Sequence, residues 1–583
     1  MTRNPDRFGG EEWTLPGMLR LRADRQPDDV AFVVLKDGEQ PWETSTYREL
    51  GNAASARAAA LRAAGLTGRA AILLFPSGLE FVRTLLATMY AGVAGAPVQV
   101  PRRRQGLARL RRIADDANTT TVLTTAAAKA DLEERFGEPA GLTLIAMDSL
   151  PGHPPAVFSE PGFDDIAMLQ YTSGSTGDPK GVMVTHGNFV RNAVETDALW
   201  PCDPDSVFVS WLPLFHDMGL LFSIVLPLWS GRPSYLMAPE AFIRRPARWL
   251  EAIARLRGTH SAAPSFAYDL CVRAAEAGAT ADVGDLSSWR VAANGAEPVR
   301  WQTIRAFIDA FVPLGFDPRA MCAGYGLAEN TLKATGSSLH DKPEALWLSS
   351  SELSRGRVEV VGSAAADATP LVGNGAPVLD TTVRIVDPVA MTDCRPGRTG
   401  EIWISGPCVA AGYHGRARLS EQTFRARLRD DPDDRTYLRT GDLGFLHHGQ
   451  LYVTGRLKDV IIRQGRNFYP QDIELSAESV APGLHANCAA AFSVDDGVQE
   501  RLVVAMETDG RVLKAVGEDE LRRRVQDVVT ENHGLVADDV LVLRRGALPK
   551  TSSGKIQRRA CKVLYESGEL AGFAVPAISG VPR

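Results

Sequence analysis

The chain has 583 residues, several times the length of a typical domain, so the sequence predicts more than one domain. Hydrophobic residues make up 45% and charged residues 23% of the chain, which excludes a disordered or fibrous protein. The formal net charge of -6 excludes a strongly basic protein and argues against nucleic-acid binding.

The seven cysteines never form a CxxC pair, which argues against a disulfide scaffold or zinc ribbon and favours a reducing compartment. Residues 1–13 contain five charged side chains and no apolar signal-peptide core. The longest apolar run, 220–229, includes Pro227 and is half as long as the roughly 20 residues of a membrane-spanning helix. We therefore expect a cytoplasmic protein without stable membrane insertion.

In chain order, the first segments alternate between helical and strand-like patterns. Residues 47–64 and 78–92 are typical of helices, whereas residues 69–75 and 94–100 are short apolar runs typical of strands. This alternation predicts an α/β fold, with a parallel sheet that carries helices on both of its faces.

The pattern changes in the last third of the chain. Two strand-like runs, 400–406 and 449–455, are each bounded by glycines, which predicts a β-rich subdomain. A charged stretch follows, and a new apolar run begins at Val460. The sequence therefore predicts a large N-terminal domain, residues 1–457, and a smaller α+β domain, residues 458–583.

The strongest local motif is a loop rich in glycines and hydroxyls, residues 171–181 (YTSGSTGDPKG). It offers backbone N–H groups, hydroxyls and one ammonium to an anion, and polyphosphate is the obvious candidate. It is not a Walker A loop, since Pro179 precedes the lysine and Gly181 replaces the metal-binding hydroxyl. The alternative is an ordinary flexible turn. The candidate phosphate-binding residues are Thr172, Ser173, Gly174, Ser175, Thr176, Gly177 and Lys180.

This loop resembles the phosphate-binding signature of the adenylate-forming enzymes, a superfamily of acyl-CoA synthetases, luciferases and non-ribosomal adenylation domains. Four further blocks follow in that superfamily's order: residues 324–329 (GYGLAE), 437–442 (YLRTGD), 455–459 (GRLKD) and 549–555 (PKTSSGK). The resemblance implies a large N-terminal domain of two α/β subdomains plus a β-barrel-like one, with a mobile C-terminal lid. It also implies that the cofactors are ATP and Mg²⁺.

Several residues of these blocks suit a nucleotide. Tyr325 stands between two glycines, which lets its ring approach a flat base, although a core tyrosine in a turn would look the same. Asp442 ends a strand-like segment and can accept hydrogen bonds from both ribose hydroxyls, with Arg456 as support. The resemblance implies further ATP contacts at Gly295, Ala296, Glu297, Gly326, Leu327 and Ala328.

Two charged residues are the candidates for chemistry. Glu329 matches the family's magnesium-contacting glutamate, whereas by itself it would be interpreted as a solvated loop residue. Lys555 lies in a glycine-containing loop, and a cation that touches both a carboxylate and the α-phosphate stabilises the transition state. The stretch 544–562 holds seven basic residues and no acid, so a solvated basic face that meets an acidic partner is the alternative. Lys458, at the predicted domain junction, is the candidate hinge.

Within the superfamily, three features resemble the fatty acyl-AMP ligases. Ala328 replaces the usual threonine, residues 337–371 look like that group's insertion, and blocks 211–220 (WLPLFHDMGL) and 463–472 (RQGRNFYPQD) follow its patterns. In that group the insertion is thought to restrict C-domain movement and so to disfavour transfer to coenzyme A. The resemblance implies that a fatty acid is activated and passed to the phosphopantetheine arm of an acyl carrier protein.

Rival interpretations stay open at this point. An acyl-CoA synthetase would share the first step and differ in its acceptor. A non-catalytic acyl- or nucleotide-binding module is less favoured, because both Lys555 and Glu329 are retained. Asp217 raises the alternative of an amino-acid adenylation enzyme, in which a carboxylate binds the substrate amine, but its flanking residues follow the fatty-acid pattern.

A fatty acid needs an apolar tunnel, since each buried methylene contributes about 0.8 kcal/mol. Two segments rich in apolar and small residues provide the candidate lining: Leu220, Phe222, Ser261, Ala263, Pro264 and Phe266. His216 suits a gate at the carboxylate end of this tunnel, although a lone histidine is more often structural.

Overall fold

The computed structural model describes residues 13–102, 104–137, 139, 141–150, 154, 156, 158–171, 179–429, 431, 433–463, 466–485, 487–495, 500–551 and 554–575. Among the candidate phosphate-binding residues, Thr172 to Gly177 lie outside the described residues and Lys180 lies within them.

The helices and strands of the described residues are as follows. The helices are α1 (Leu15–Arg25), α2 (Tyr47–Ala63), α3 (Leu79–Ala91), α4 (Arg104–Asp116), α5 (Ala126–Phe136), α6 (His186–Leu199), α7 (Asp217–Leu220), α8 (Leu226–Ser230), α9 (Pro239–Arg244), α10 (Ala247–Leu256), α11 (Ser265–Glu276), α12 (Trp301–Phe311), α13 (Ser350–Leu353), α14 (Ala417–Phe424), α15 (Pro470–Glu478), α16 (Gly510–Val516), α17 (Glu518–His533) and α18 (Arg558–Glu566). The strands are β1 (Val30–Lys36), β2 (Gln40–Thr46), β3 (Ala70–Leu73), β4 (Ala94–Pro97), β5 (Thr121–Thr124), β6 (Thr143–Ala146), β7 (Ile166–Tyr171), β8 (Gly181–Thr185), β9 (Phe208–Ser210), β10 (Ser234–Met237), β11 (His260–Ala263), β12 (Val291–Asn294), β13 (Met321–Gly326), β14 (Lys333–Gly336), β15 (Ala345–Ser349), β16 (Ala368–Val372), β17 (Ala376–Pro377), β18 (Thr382–Asp387), β19 (Thr392–Asp393), β20 (Gly400–Ser405), β21 (Gly412–Tyr413), β22 (Leu438–His447), β23 (Gln450–Arg456), β24 (Ile461–Arg463), β25 (Arg466–Phe468), β26 (Ala489–Asp495), β27 (Glu500–Thr508) and β28 (Asp539–Arg544).

Two large sheets with a parallel centre form the body of the protein. One has the order β21-β8-β7-β4-β3-β5-β6 and is parallel from β7 to β6. The other has the order β17-β14-β13-β12-β11-β9-β10-β1-β2 and is parallel from β13 to β1. The predicted alternation of helices and strands is confirmed, because the four predicted segments correspond to α2, β3, α3 and β4. The α/β fold follows from it.

An antiparallel sheet of order β19-β18-β20-β22-β23 confirms the β-rich region near residues 400–456. The pairing of β22 with β23 brings Asp442 opposite Arg456 although 13 residues separate them in sequence. The segment predicted as an insertion forms a ribbon of β15 and β16, with the short helix α13 after the first strand.

The apolar core is divided along the chain. The largest cluster draws its buried residues from Leu15 to Leu451, whereas two other clusters draw all of theirs from Ile461 to Leu570, around the sheet β26-β27-β28. We propose on this basis that the domain boundary lies near residue 457. No helix of the described segments has both the length and the apolar character needed to cross a membrane.

Candidate active site

A cavity of about 2220 Å³ opens between the sheets and the C-terminal residues. It lies at the carboxyl ends of β7, β12 and β13, the edge at which ligands bind in open α/β sheets. The C-terminal region closes it with Lys550, Lys555 and helix α18. The candidate residues in its wall are Lys180, His216, Phe222, Gly295, Ala296, Glu297, Tyr325, Gly326, Leu327, Ala328, Glu329, Asp442, Arg456, Lys458 and Lys555.

Tyr325, Asp442 and Arg456 form one hydrogen-bonded group in this wall. The hydroxyl of Tyr325 donates to Oδ2 of Asp442 at 2.7 Å, and Nε of Arg456 donates to Oδ1 at 2.9 Å. Burial and the Asp442 charge raise the pKa of Tyr325 well above its usual value, so the hydroxyl stays protonated. Each carboxylate oxygen keeps a further lone pair, so Asp442 can still accept hydrogen bonds from a diol.

Two glycines let the backbone pass close to Tyr325. A Cβ at Gly295 would lie 2.9 Å from the carbonyl oxygen of Gly324, and one at Gly326 would lie 2.0 Å from that of Leu332. A side chain does not fit at either position without movement of the backbone. The turn after β12 and the end of β13 therefore form a tight surface with few side chains.

Glu297 connects this turn to the C-terminal region. Its Oε1 accepts a hydrogen bond from the N–H of Phe266 at 2.7 Å, and its Oε2 accepts one from Nδ2 of Asn487 at 3.2 Å. Burial raises the pKa of Glu297, although the Phe266 N–H and the Arg300 charge oppose that effect. Arg300 donates to Glu478 at 2.9 Å and to Asn487 at 3.0 Å. Glu297 and Arg300 therefore both connect the cavity wall to the C-terminal region.

Glu329 lies in the turn after β13. The hydroxyl of Tyr413 donates to its Oε1 at 2.8 Å, and Nζ of Lys180 lies 5.3 Å from the centroid of the same tyrosine ring. Glu329 and the lysine of the glycine-rich motif therefore meet at one aromatic side chain. In the part of the chain that is described, no group of three or more His, Cys, Asp or Glu residues could hold a metal ion. A cation at Glu329 would need oxygens from a bound phosphate, which suits Mg²⁺.

Lys555 lines the cavity together with three carboxylates from separate parts of the fold, Asp217, Glu297 and Asp442. Burial lowers its pKa, and the charges of Asp217, Glu297 and Asp442 oppose that effect because they favour the ammonium form. Its loop closes on itself, since the Lys555 N–H donates to Oγ1 of Thr551 at 3.1 Å and its carbonyl accepts from the Thr551 N–H at 2.8 Å. Lys555 is therefore placed to meet an anion that enters the cavity.

His216 and Asp217 begin helix α7. Nδ1 of His216 lies 2.6 Å from Oδ1 of Asp217, which leaves Nε2 as the nitrogen available to a ligand. Burial alone would raise the pKa of Asp217, but the charges of His216 and Lys555 lower it below its usual value. The chain continues through a π-helical turn, Leu221–Val225, into α8, and such turns are frequent at functional sites.

The candidate acyl residues fall into two groups. Phe222 lines the cavity together with Trp200, Met218 and Leu332, and the rings of Trp200 and Phe222 lie 6.0 Å apart. The candidates that the structure places outside the cavity wall are Leu220, Ser261, Ala263, Pro264 and Phe266.

Ser261 and Phe266 illustrate why these side chains do not line the cavity. The Ser261 hydroxyl donates to the carbonyl of Val209 at 2.5 Å and accepts from Nε1 of Trp249 at 2.9 Å, so it belongs to the core. Phe266 packs against the lysine loop, where a Cβ at Gly554 would lie 3.5 Å from its ring. The signal that could have indicated another lining residue is the position of Leu332, three residues after Glu329.

Asp116 and Arg416 form a second group, which no sequence motif predicted. They contact residues on both sides of the glycine-rich segment. Asp116 accepts hydrogen bonds from the Tyr171 hydroxyl at 2.9 Å and from the Gly181 N–H at 3.3 Å. Nη2 of Arg416 donates to Asp116 at 2.6 Å and to the Pro179 carbonyl at 3.0 Å. We call this pair the Asp116–Arg416 clamp, since it binds residues on both sides of the segment 172–178.

Lys555 distinguishes this site from one that only binds a nucleotide. It is a cation from the C-terminal region, and it lines a cavity that is formed mainly by the larger N-terminal part of the chain. The resemblance of the sequence blocks to the adenylate-forming enzymes implies this arrangement, and the two α/β sheets agree with that class.

Comparisons with known proteins give the family. The sequence profile described as AMP-binding enzyme matches residues 19–414, and that of the Disco-interacting protein 2-like AMP domain matches residues 458–574. The chain is 40% identical to the medium-chain-fatty-acid–[acyl-carrier-protein] ligase JamA of Moorena producens, over 96% of both chains. The chain belongs to the AMP-binding enzymes and, among them, to the fatty acyl-AMP ligases.

Solved structures agree with this assignment. The fatty acid AMP ligase of Legionella pneumophila is 36% identical, with a TM-score of 0.73 over 95% of this chain and 96% of that one. A structure from a study of the fatty acyl-adenylate ligases of E. coli and L. pneumophila is 29% identical, with a TM-score of 0.85 over 96% and 98%. The family and the fold predicted from the sequence blocks are confirmed.

Proposed function

We propose that the enzyme joins a medium- or long-chain fatty acid to the AMP portion of ATP and then passes the acyl group to the phosphopantetheine thiol of an acyl carrier protein. In the first step a carboxylate oxygen attacks the α-phosphorus, and the bond to pyrophosphate breaks with its electron pair leaving on pyrophosphate. In the second step the thiolate sulfur attacks the acyl carbon, and AMP leaves. The observation that supports the proposal is that Lys555, from the C-terminal region, lines the same cavity as Asp217, Glu297 and Asp442.

The nucleoside would bind at the Tyr325 group. The ring of Tyr325 and the turn at Gly295 and Ala296 would contact the adenine. Asp442 would accept hydrogen bonds from the ribose hydroxyls, and Arg456 holds the carboxylate in place from one side. The hydroxyls and N–H groups of residues 172–177, with Lys180, would bind the phosphates.

Glu329 and the phosphate oxygens would hold Mg²⁺, which when bound neutralises part of the phosphate charge. The chain's own contribution is the orientation of this carboxylate. Tyr413 donates to one of its oxygens and is itself held in the sheet by the pairing of β21 with β8.

Lys555 would stabilise the transition state between two anions. The fatty-acid carboxylate and the α-phosphate repel each other, and an ammonium that touches both is most effective in a site shielded from water. In the absence of substrates the charges of Asp217, Glu297 and Asp442 favour the ammonium form of Lys555. Nε2 of His216 would orient the fatty-acid carboxylate at the entrance of the apolar part of the cavity.

The hinge would lie at Lys458. This residue is exposed in a turn between β23 and β24. The next residue, Asp459, pairs with Arg558 at 3.5 Å, and Arg558 also donates to both oxygens of Glu474 at 2.7 Å. Rotation at this turn would therefore move α18 and the Lys555 loop together.

Contacts of the inserted ribbon support an acyl carrier protein rather than coenzyme A as the acceptor. Ser354, directly after α13, accepts a hydrogen bond from the Asn467 N–H at 2.7 Å through its carbonyl and one from Nε of Arg466 at 3.0 Å through its hydroxyl. Leu348 of the ribbon and Tyr469 belong to one apolar cluster. These contacts would resist rotation of the C-terminal domain, as expected for an insertion that disfavours transfer to coenzyme A.

The test measures ATP–pyrophosphate exchange with saturated fatty acids and identifies the acylated products by mass spectrometry. We expect Lys555→Ala to lower exchange on the order of 100-fold or more, with an unchanged Kd for ATP in calorimetry. The control is Lys514→Ala, which removes the same charge from an exposed position in α16. Near-normal exchange by Lys555→Ala would contradict the role of this residue. Efficient acyl-CoA formation would instead favour an acyl-CoA synthetase.

A further inference from the structure

The apolar part of the cavity contains a buried cation that the proposed reaction does not use. Lys333, the first residue of β14, lines the cavity together with Trp200, Phe222 and Leu332, and it is only 4% exposed. Its Nζ has no hydrogen-bond partner among the described residues. A buried ammonium without a hydrogen bond is strongly unfavourable, so such a group marks a place that a ligand can complete.

The backbone of Lys333 is already fully engaged. Its N–H donates to Oδ1 of Asn192 at 3.3 Å, and its carbonyl accepts from Nδ2 of Asn192 and from Nδ2 of Asn330, both at 2.9 Å. Only the side chain is therefore available to a ligand. The ammonium is covered by protein, and its flexible four-carbon stem allows it to turn toward a bound molecule.

The charge of Glu195 acts on Lys333, and this glutamate is buried outside the residues that line the cavity. Its Oε1 accepts a hydrogen bond from Thr381 at 2.7 Å, and the Cys408 thiol also interacts with this carboxylate. Burial lowers the pKa of Lys333, and the charge of Glu195 opposes that effect. The lysine and the glutamate together have little net charge, so this place favours an uncharged oxygen over a second carboxylate.

We propose that Lys333 binds an oxygen atom on the acyl chain, so that the enzyme prefers a hydroxy- or oxo-fatty acid to the unsubstituted acid of the same length. The inference rests on the proposed function, since it requires an acyl chain in this part of the cavity. An unsubstituted chain leaves the buried ammonium without a hydrogen bond. Sites that hydrogen-bond a substrate oxygen discriminate strongly against the analogue that lacks it.

The test compares kcat/KM in ATP–pyrophosphate exchange for unsubstituted acids and for acids that carry a hydroxyl or keto group at successive carbons. We expect the wild-type enzyme to prefer the best oxygenated acid by about tenfold or more. Lys333→Met abolishes this preference and improves use of the unsubstituted acid, whereas Lys333→Gln keeps part of it. Lys342→Met, the same change at an exposed lysine, alters neither value.

Lys333→Met leaves Glu195 as an unpaired buried carboxylate, so the double variant Lys333→Met/Glu195→Gln is measured as well, with thermal unfolding of each protein. Equal kcat/KM for oxygenated and unsubstituted acids in the wild-type enzyme would overturn the inference and leave the proposed function intact. A preference for dicarboxylic acids over hydroxy- and oxo-acids would overturn the assignment of an uncharged oxygen. No exchange with any fatty acid would overturn both proposals.

Discussion

We expect Asp116→Ala to raise the KM for ATP by about 10- to 100-fold without changing the Kd of the fatty acid. Asp116 accepts hydrogen bonds from Tyr171 at 2.9 Å, from Gly181 at 3.3 Å and from Arg416 at 2.6 and 3.2 Å, and its side chain is 10% exposed. The substitution therefore releases both ends of the segment that is predicted to bind the phosphates.

The magnitude follows from the two bonds that reach the ends of this segment. A hydrogen bond to a charged group contributes about 1.5–3 kcal/mol, and 1.4 kcal/mol changes an affinity about tenfold, so a loss of order at Tyr171 and Gly181 equivalent to about one such bond gives about 10- to 100-fold. Arg416 remains without its carboxylate, but it is 34% exposed and water replaces part of the lost interaction. The kcat should fall less than the KM rises, because His216 and Lys555 line the cavity, whereas Asp116 and Arg416 are outside its lining.

The assay titrates ATP at saturating fatty acid, and fatty acid at saturating ATP, in pyrophosphate exchange. Asp115→Ala is the matched control, since Asp115 is the adjacent acid and is exposed. Arg416→Met and the double variant with Asp116→Ala should give less than additive effects, because the two residues act as one unit. An unchanged KM for ATP in a folded Asp116→Ala enzyme would refute this reasoning.

Two further predictions concern the nucleoside group and the C-terminal domain. Tyr325→Phe removes the hydroxyl that donates to Asp442 and should raise the KM for ATP about fivefold. This factor is the equivalent of about 1 kcal/mol for one hydrogen bond. An unchanged KM in steady-state kinetics would count against the assigned ribose contact. Burial raises the pKa of Asp472 to about 7 from 3.8, so the folded state binds more protons than the unfolded state in this window and stability falls as the pH rises through it. Asp472→Asn should therefore raise the Tm of the C-terminal domain more at about pH 8 than at about pH 5, and equal shifts in thermal scans at both pH values would contradict that sign.

The residues that could be predicted from the sequence are those whose chemistry is local. Asp442 and Arg456 belong to two recognisable strands joined by a tight turn, so their pairing needs only the hairpin register. Tyr325 and Glu329 lie in one short block. The glycines on both sides of the tyrosine predict that other groups can approach the backbone closely there.

The acyl residues were harder to predict because of the kind of strand that carries them. Ser261 and Ala263 lie on β11, a parallel strand buried on both faces, and all four residues of β11 are buried. Apolar composition in such a strand does not indicate which face meets a cavity. Asp116 and Arg416 are 300 residues apart, and no local pattern relates them.

The division of the apolar core has a consequence for how this protein melts. The main clusters of the two parts are separate, and polar contacts and the smaller cluster of Leu348 and Tyr469 join them, so the chain can unfold in more than one transition. Its calorimetric enthalpy should exceed the van't Hoff enthalpy of any single transition, and one free energy of unfolding would not describe it. The stability of a variant has to be measured on the transition of the domain that contains the substitution.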